Sequence, residues 1–230
     1  MSKVEDNTFW FFGCSMTSGH GLNWEWMGDN YQERKKNNEL WKKVGDGYED
    51  TIFPKLLSQH FGMQYKNYAV SGQSNQTILV QLSNCLHLMK EGDKVWVNST
   101  WPMRFPIPHP EADLLVETMV PMWMNDDGSL DFQDELIPSI WGEDRNEVIK
   151  LYIQSVIGAN SQPLLRVYKT ALYDITLHLN NIGIKSFLWD ATERAHHYEG
   201  IKHWKPGIED AHPSPNGHKN IFNDVLKEFI

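Results

Sequence analysis

The sequence predicts a single α/β domain in which helices cover both faces of a mainly parallel sheet. Short runs of the length and composition of buried strands occur at residues 8–12, 94–100 and 185–190. Amphipathic helical stripes separate the early runs, and the alternation of strand and helix is typical of a parallel sheet between helices. A chain of 230 residues fits one domain of this kind, because single domains commonly reach about 200–250 residues.

The first half of the chain alternates strand and helix with short connections. Hydrophobic periodicity and glycine stops predict five elements: a strand at 8–12, a helix within 48–61, a strand at 64–70, a helix within 78–89 and a strand at 94–100. The turns after these strands should meet at the carboxyl edge of the sheet, which is where open α/β sheets bind ligands.

The second half of the chain is less regular. Six prolines and an Asn-Asp-Asp-Gly run interrupt the periodicity, so we expect an irregular insertion at about residues 102–145, over one edge or end of the sheet. Beyond it the sequence predicts a broken helix over 145–179, a strand at 185–190, a polar loop over 191–215 and a closing helix over 217–229. The whole chain, 1–230, is expected to be this one domain.

Composition narrows the class of partner. The net charge of −9 and the pI near 5.5 argue against a nucleic-acid partner, since phosphate binding needs clustered Lys and Arg. The N-terminal residues are polar and precede fewer apolar residues than a secretory signal or a membrane span needs. We therefore expect a soluble, cytoplasmic protein without a signal peptide or membrane span. Cys14 and Cys85 are expected to be free thiols.

Ser15 directly follows the first strand, where a turn into a helix would expose its hydroxyl and aim backbone N–H groups at a developing oxyanion. It could equally serve as a helix cap. Gly72 and Asn75 lie in the turn after the second strand, and a glycine N–H and an uncharged amide both suit an oxyanion hole. The alternative is an ordinary turn with Ser74 or Asn75 as the cap.

His212 stands near the C-terminus with two acids just before it, Glu209 and Asp210. A serine nucleophile needs an imidazole base, and that base needs an acceptor on its other nitrogen to fix its tautomer and orientation. Either acid could supply that acceptor. The alternative is a loop histidine with no catalytic task.

Taken in order, these segments resemble the sequence blocks of the SGNH (GDSL-type) hydrolases, in particular a small branch seen in bacteriophage and bacterial genomes. The blocks are Gly-Cys-Ser at 13–15, Ser-Gly-Gln-Ser-Asn at 71–75, the run from Thr100 to Phe105, and Asp-Ala-His-Pro-Ser-Pro-Asn-Gly-His at 210–218. The resemblance implies a three-layer α/β/α sandwich with a flavodoxin-like strand order and no metal or other cofactor. It also implies that Ser15 is the nucleophile, His212 the base and Asp210 its acid. The backbone N–H groups of Ser15 and Gly72 would join an Asn side chain in the oxyanion hole.

Three departures from the family pattern bear on these roles. Cys14 takes the place of the usual Asp before the serine, but it is not the attacking group. The common spacing of the acid would favour Glu209, although short Asp-x-His-Pro versions favour Asp210. The Gly-x-Asn-Asp of the third block is missing, so Asn75 is the preferred oxyanion residue, with Thr100 and Arg104 as pocket candidates.

The expected activity is hydrolysis of a small acyl ester, such as an O-acetyl group on a carbohydrate, because the insertion is rich in Trp and predicts an aromatic cleft. Two alternatives remain: an O-acyltransferase, and a catalytically degenerate carbohydrate-binding or assembly protein on the same fold. A metal site is not expected, since the histidines of the C-terminal stretch lack the spacing of known ligand sets.

Overall fold

The computed structural model describes residues 7–19, 52–70, 73–100, 104–108, 119–124, 130–132, 162–194, 197–198 and 212–230. Seven strands lie in these residues: β1 Thr8–Phe12, β2 Gln64–Asn67, β3 Lys94–Ser99, β4 Arg104–Pro108, β5 Met119–Met124, β6 Leu130–Phe132 and β7 Lys185–Asp190. The α-helices of the described residues are α1 Ser15–Ser18, α2 Phe53–Phe61, α3 Asn75–Cys85, α4 Gln162–Asn181, α5 Ala191–Arg194 and α6 Pro215–Phe229, and a 3₁₀ turn covers Leu86–Leu88.

The main sheet contains four parallel strands in the order β2-β1-β3-β7. The registers place Phe12 beside Val97 and Ser99 beside Asp190, so the strands end along one carboxyl edge. This order is the flavodoxin-like arrangement with the first strand inside the sheet. The predicted fold class, a three-layer α/β/α sandwich around a mainly parallel sheet, is confirmed.

Side chains alternate across the sheet and build a core on each face. The first core joins Phe9, Phe11, Trp96 and Trp189 of the strands to residues of α1, α2 and α6; we call this side the α6 face. The second core joins the intervening strand residues, Trp10, Phe12, Val95 and Val97, to residues of α3 and α4. Because both faces of β1 and β3 are covered, these strands appear in the sequence as continuous apolar runs.

The direction of α6 decides which residues reach the carboxyl edge. At its C-terminal end, the Phe229 carbonyl accepts a hydrogen bond of 3.3 Å from Lys94 Nζ at the start of β3. The cation also lies where a helix C-terminus attracts positive charge. The 15 residues of α6 and the six of β3 span similar lengths, roughly 22 Å and 20 Å. The helix therefore runs antiparallel to the strand, and its N-terminus lies at the carboxyl edge of the sheet.

The expectation of an irregular insertion is wrong where the chain is described, because β4, β5 and β6 form a three-stranded antiparallel sheet. The prolines in these strands led to the wrong prediction, because proline is normally a loop signal. Pro106 lies opposite Pro121, and Pro108 is opposite Met119 two residues along the same ladder. These positions share the ladder phase in which N–H groups point away from the partner strand, so the prolines remove no hydrogen bond from the β4–β5 ladder.

Smaller differences concern element ends. β2 stops at Asn67, three residues before the predicted end, and the start of the predicted polar loop is the short helix α5. Gly62 and Gly183 follow α2 and α4 in the left-handed conformation, as their positions predicted.

Cys14 and Cys85 are free thiols, as expected, and both are buried. Within the part of the chain that is described, no helix combines the length and apolar character needed to cross a bilayer.

Candidate functional site

Ser15 is the first residue of α1, three residues past the end of β1, and only 2% of it is exposed. The extended residue before it, Cys14, holds the N-cap position and makes no side-chain capping bond. Ser15 is therefore not the helix cap, which removes the structural alternative for this serine. The first N–H groups of a helix have no acceptor within the helix, so α1 starts with backbone donors beside the hydroxyl.

The turn that carries Ser15 lies tightly against β3. A Cβ atom on Gly13 would lie 2.7 Å from Asn98 Cβ and 2.8 Å from Thr17 Oγ1, so only glycine lets the two segments approach this closely. Asn98 Nδ2 donates to Thr17 Oγ1 at 3.1 Å, and Trp96 Nε1 donates to the same oxygen at 3.3 Å. Two side chains of β3, Asn98 and Trp96, thus hold α1 in place.

Asn98 is completely buried and lies under α1, so its amide supports the nucleophile turn. Its Nδ2 also approaches Cys14 Sγ at 3.6 Å, and its Oδ1 has no hydrogen-bond partner among the described residues. The sequence analysis set Asn98 aside as an oxyanion residue because of its early position in β3, and the contacts with α1 give it a structural task instead.

Asn75 joins the start of α3 to the end of β3. Its Oδ1 accepts the Thr100 N–H at 2.7 Å, and its Nδ2 donates to the Thr100 carbonyl at 2.9 Å. The cap of α3 is Ser74, whose Oγ accepts the Thr77 N–H at 3.2 Å. The capping alternative therefore holds for Ser74, while Asn75 clamps Thr100 with its oxygen and one of its two amide hydrogens.

Thr100 follows β3 at the carboxyl edge and is 1% exposed. Asn75 holds its backbone, but its own hydroxyl oxygen has no hydrogen-bond partner within the described ranges. Buried hydroxyls are normally hydrogen-bonded, so an unused hydroxyl beside a candidate active site calls for a functional explanation.

His212 lies just before the N-terminus of α6 and is partly buried. Ser214 is the N-cap, with its Oγ accepting the Gly217 N–H at 3.0 Å, and Pro215 takes the first helical position, which needs no N–H donor. Since α6 starts at the carboxyl edge on the α6 face, its start shares that face and edge with α1. Ser15 and the start of α6, three residues after His212, therefore lie at the same rim of the sheet.

A series of contacts runs from α6 to α1 beneath this rim. His218 Nδ1, on α6, accepts the Phe53 N–H at 3.5 Å. The Phe53 ring packs edge-on against the Trp96 ring, with 5.0 Å between the ring centroids. Trp96 Nε1 in turn donates to Thr17 Oγ1 of α1. The helix that follows the candidate base and the helix that starts with the candidate nucleophile are thus linked through the same core.

His218 is a residue that the sequence analysis missed as part of this region. It is fully buried, stacks on Phe53 at 5.8 Å and supplies the acceptor for the first N–H of α2, whose N-cap Ile52 makes no side-chain bond. Burial, and secondarily the charge of His212, lower the pKa of His218 to about 3. The ring is therefore neutral at pH 7, and because Nδ1 accepts, Nε2 carries the proton.

The sequence does contain a signal for this role. His218 begins the apolar stripe of α6, which continues with Ile221, Val225 and Phe229 at helical spacing. A histidine on such a stripe faces the core. Its hydrogen-bond partner, the Phe53 N–H, is 165 positions away in the sequence and cannot be inferred from the local pattern.

Asp190, at the end of β7, is an acid at the same edge, but its carboxylate is already engaged. Lys169 Nζ contacts one oxygen, and the Thr192 N–H and hydroxyl donate to the other at 3.0 and 2.7 Å. Burial opposes ionisation, yet these donors and the Lys169 charge outweigh it and hold the pKa of Asp190 below its usual value. This carboxylate caps α5 and neutralises Lys169.

Several predicted residues lie outside what can be described. Gly72, Glu209 and Asp210 fall outside the described residues, and of Arg104 the structure gives the place in β4, opposite Trp123. Across the residues that are described, no group of three or more His, Cys, Asp or Glu side chains could hold a metal ion.

No family model and no curated protein sequence matches the chain. Thirteen chains of solved structures are similar to it, and three of them are described below. One is assigned as a lipolytic protein of the G-D-S-L family from Desulfitobacterium hafniense DCB-2, with 12% identity and a TM-score of 0.36 over 96% of this chain and 99% of that one. Another, a member of the lipolytic protein G-D-S-L family from Veillonella parvula DSM 2008, has 11% identity and a TM-score of 0.36 over 96% of each chain.

The third is a carbohydrate esterase whose active site displays divergent catalytic and non-catalytic binding functions, with 13% identity and a TM-score of 0.41 over 97% of this chain and 64% of that one. At these TM-scores we assign the fold from strand order and register alone.

Proposed function

We propose that this protein is a serine esterase that cleaves a small acyl ester. The observation that supports the proposal best is that α1, which starts with Ser15, and the start of α6, just after His212, lie on one face and at one edge of the sheet. Ser15 is also released from the capping role that serines often have at such turns.

In the proposed mechanism His212 accepts the hydroxyl proton of Ser15 while the oxygen attacks the ester carbonyl carbon. Asp210, or Glu209 in its place, holds the imidazole in the required tautomer. The tetrahedral intermediate expels the alcohol, which takes the proton from His212, and leaves an acyl-serine. Water then gives a proton to His212 and attacks the acyl carbon. As the second tetrahedral intermediate releases the acid, His212 returns that proton to the Ser15 oxygen, which restores the hydroxyl and the neutral base.

The oxyanion needs donors that are in place before the reaction. We assign this task to the backbone N–H groups of Ser15 and Gly72, together with the second amide hydrogen of Asn75. The clamp on Thr100 supports this use of Asn75, because a side chain fixed by two hydrogen bonds loses no further rotamer freedom when it binds the intermediate.

The test of the esterase proposal is hydrolysis of nitrophenyl acetate by the wild type, Ser15→Ala and a matched control, Ser18→Ala. Ser18 belongs to the same short helix, and its hydroxyl donates to the Ser15 carbonyl at 3.2 Å. Ser15→Ala should lower turnover by about 10⁴-fold or more, whereas Ser18→Ala should keep it. Equal rates for wild type and Ser15→Ala would remove the proposal and favour a binding protein on a degenerate hydrolase scaffold.

On the substrate, we propose an O-acetylated sugar. The small sheet starts just after Thr100, and its registers align Arg104, Trp123 and Asp131 in one row across three strands. Trp, Arg and Asp are the residue types that stack on a sugar ring and bind its hydroxyls.

Trp123→Ala should raise KM for an acetylated oligosaccharide and leave the hydrolysis of nitrophenyl acetate unchanged, because nitrophenyl acetate has no sugar ring to bind to this row. Unchanged KM values in Trp101→Ala, Trp123→Ala and Trp141→Ala would remove the sugar hypothesis. Product analysis with an added sugar acceptor separates hydrolysis from the acyltransferase alternative, in which a sugar hydroxyl replaces water.

A further inference from the structure

The Thr100 hydroxyl is a buried polar group with no task in the folded chain. Its oxygen has no hydrogen-bond partner in the described portion of the protein, and the residue is 1% exposed. By contrast, the hydroxyl of Thr176, which is 4% exposed, donates to the Tyr173 carbonyl at 2.7 Å. A buried hydroxyl without a partner is destabilising, and a valine of the same shape would avoid that cost.

Strand periodicity places Thr100 on the catalytic side of the sheet. Trp96 belongs to the core of the α6 face, and Asn98 contacts Thr17 of α1 on that face. Thr100 comes two residues after Asn98, just past the last residue of β3, and the alternation continued by one residue gives it the same face, one step closer to the carboxyl edge where α1 begins. Thr100 is 1% exposed and Ser15 is 2% exposed, so the two residues are buried to a similar degree.

The residue is also held rigidly. Asn75 binds both the N–H and the carbonyl of Thr100, at 2.7 and 2.9 Å, and so fixes the backbone on both sides of the Cα atom. A hydroxyl that is positioned in advance and has a free hydrogen is suited to bind a charge that appears only during a reaction.

We propose that the Thr100 hydroxyl donates a hydrogen bond to the carbonyl oxygen of the substrate as that oxygen becomes the oxyanion. This assignment rests on the esterase proposed above and adds a side-chain donor to its oxyanion hole. It explains why a buried hydroxyl lies where the described residues give it no partner: the hydrogen bond forms only in the transition state, where it lowers the barrier.

The experiment compares Thr100→Val, which removes the hydroxyl and keeps the shape, with Thr100→Ser, which keeps the hydroxyl, and with Thr176→Val as the matched control. For each variant, kcat and KM for nitrophenyl acetate and the thermal midpoint of unfolding are measured. Thr100→Val should lose about 10²-fold in kcat with little change in KM, and its midpoint should be equal to or above that of the wild type. Thr100→Ser should retain most of the activity.

The control should behave in the opposite way. Thr176→Val loses a satisfied hydrogen bond, so its midpoint should fall while kcat is unchanged. A Thr100→Val variant with wild-type kcat would overturn the assignment, and so would one in which kcat and the thermal midpoint fall together. If Ser15→Ala abolishes turnover and Thr100→Val does not, only the Thr100 assignment fails. If the wild type itself has no esterase activity, the proposed function fails and this assignment fails with it.

Discussion

Acid should destabilise this protein through His218 in particular. The folded state keeps this imidazole neutral, with its pKa lowered to about 3, since the ring is fully buried, its Nδ1 accepts the Phe53 N–H and His212 adds an unfavourable charge. In the unfolded chain the same ring titrates near its ordinary value of about 6.5. Below that pH the unfolded state therefore binds one more proton than the folded state, and stability falls as the pH falls.

The size of the effect follows from the two pKa values. One pH unit corresponds to about 1.4 kcal/mol for each proton of difference, so the His218 contribution should fall by about 3 kcal/mol between pH 7 and pH 4. The loss stops near pH 3, where the folded ring also accepts a proton. A change of this size is a large fraction of the total stability of a typical domain.

Urea unfolding at several pH values between 4 and 7, for the wild type and for His218→Asn, measures this contribution. Asn places an amide oxygen near the position of Nδ1, where it can accept the Phe53 N–H without titrating. The carboxylates change the stability of both proteins alike, so the difference between the two pH curves isolates His218. Parallel curves for the two proteins over this range would refute the reasoning.

Three further substitutions test the contacts around the site. Gly13→Ala should lower the free energy of unfolding, measured with urea, by about 1–3 kcal/mol, because the new Cβ would lie 2.7 Å from Asn98 Cβ. Unchanged stability would show that the turn after β1 moves away from β3 easily. Asn75→Ala should cost about 1–3 kcal/mol by leaving both backbone groups of Thr100 unpaired, and a midpoint equal to that of the wild type would argue against the clamp. Asp93→Ala should lower the thermal midpoint without changing kcat, since its carboxylate binds donors at the amino edge, far from Ser15; a loss of kcat alone would contradict this.

Most of the main sheet could be predicted from the sequence, because its two inner strands, β1 and β3, are buried on both faces and contain continuous apolar runs. The predicted bounds of β1 and β7 match the structure. The small antiparallel sheet could not be predicted in this way. Its prolines resemble loop signals, and they are tolerated only because Pro106, Pro108 and Pro121 share one phase of the ladder, a property of the pairing between strands.

The candidate site divides in the same way. Ser15 and His212 could be found because residue type and position after a strand or before a helix carry the chemistry. The tasks of Asn75, Thr100 and His218 depend on partners that are distant in the sequence: Asn75 bonds across 25 residues and His218 across 165. Such roles become visible only when the fold brings the partners together.

The measurement that tests the central claim most directly is mass spectrometry of the protein after reaction with a fluorophosphonate. This probe forms a covalent bond only with an activated serine. The account predicts a single adduct on the peptide that contains Ser15, with its formation strongly slowed in His212→Ala. A protein that takes up no probe, or takes it up on a serine other than Ser15, would contradict the account.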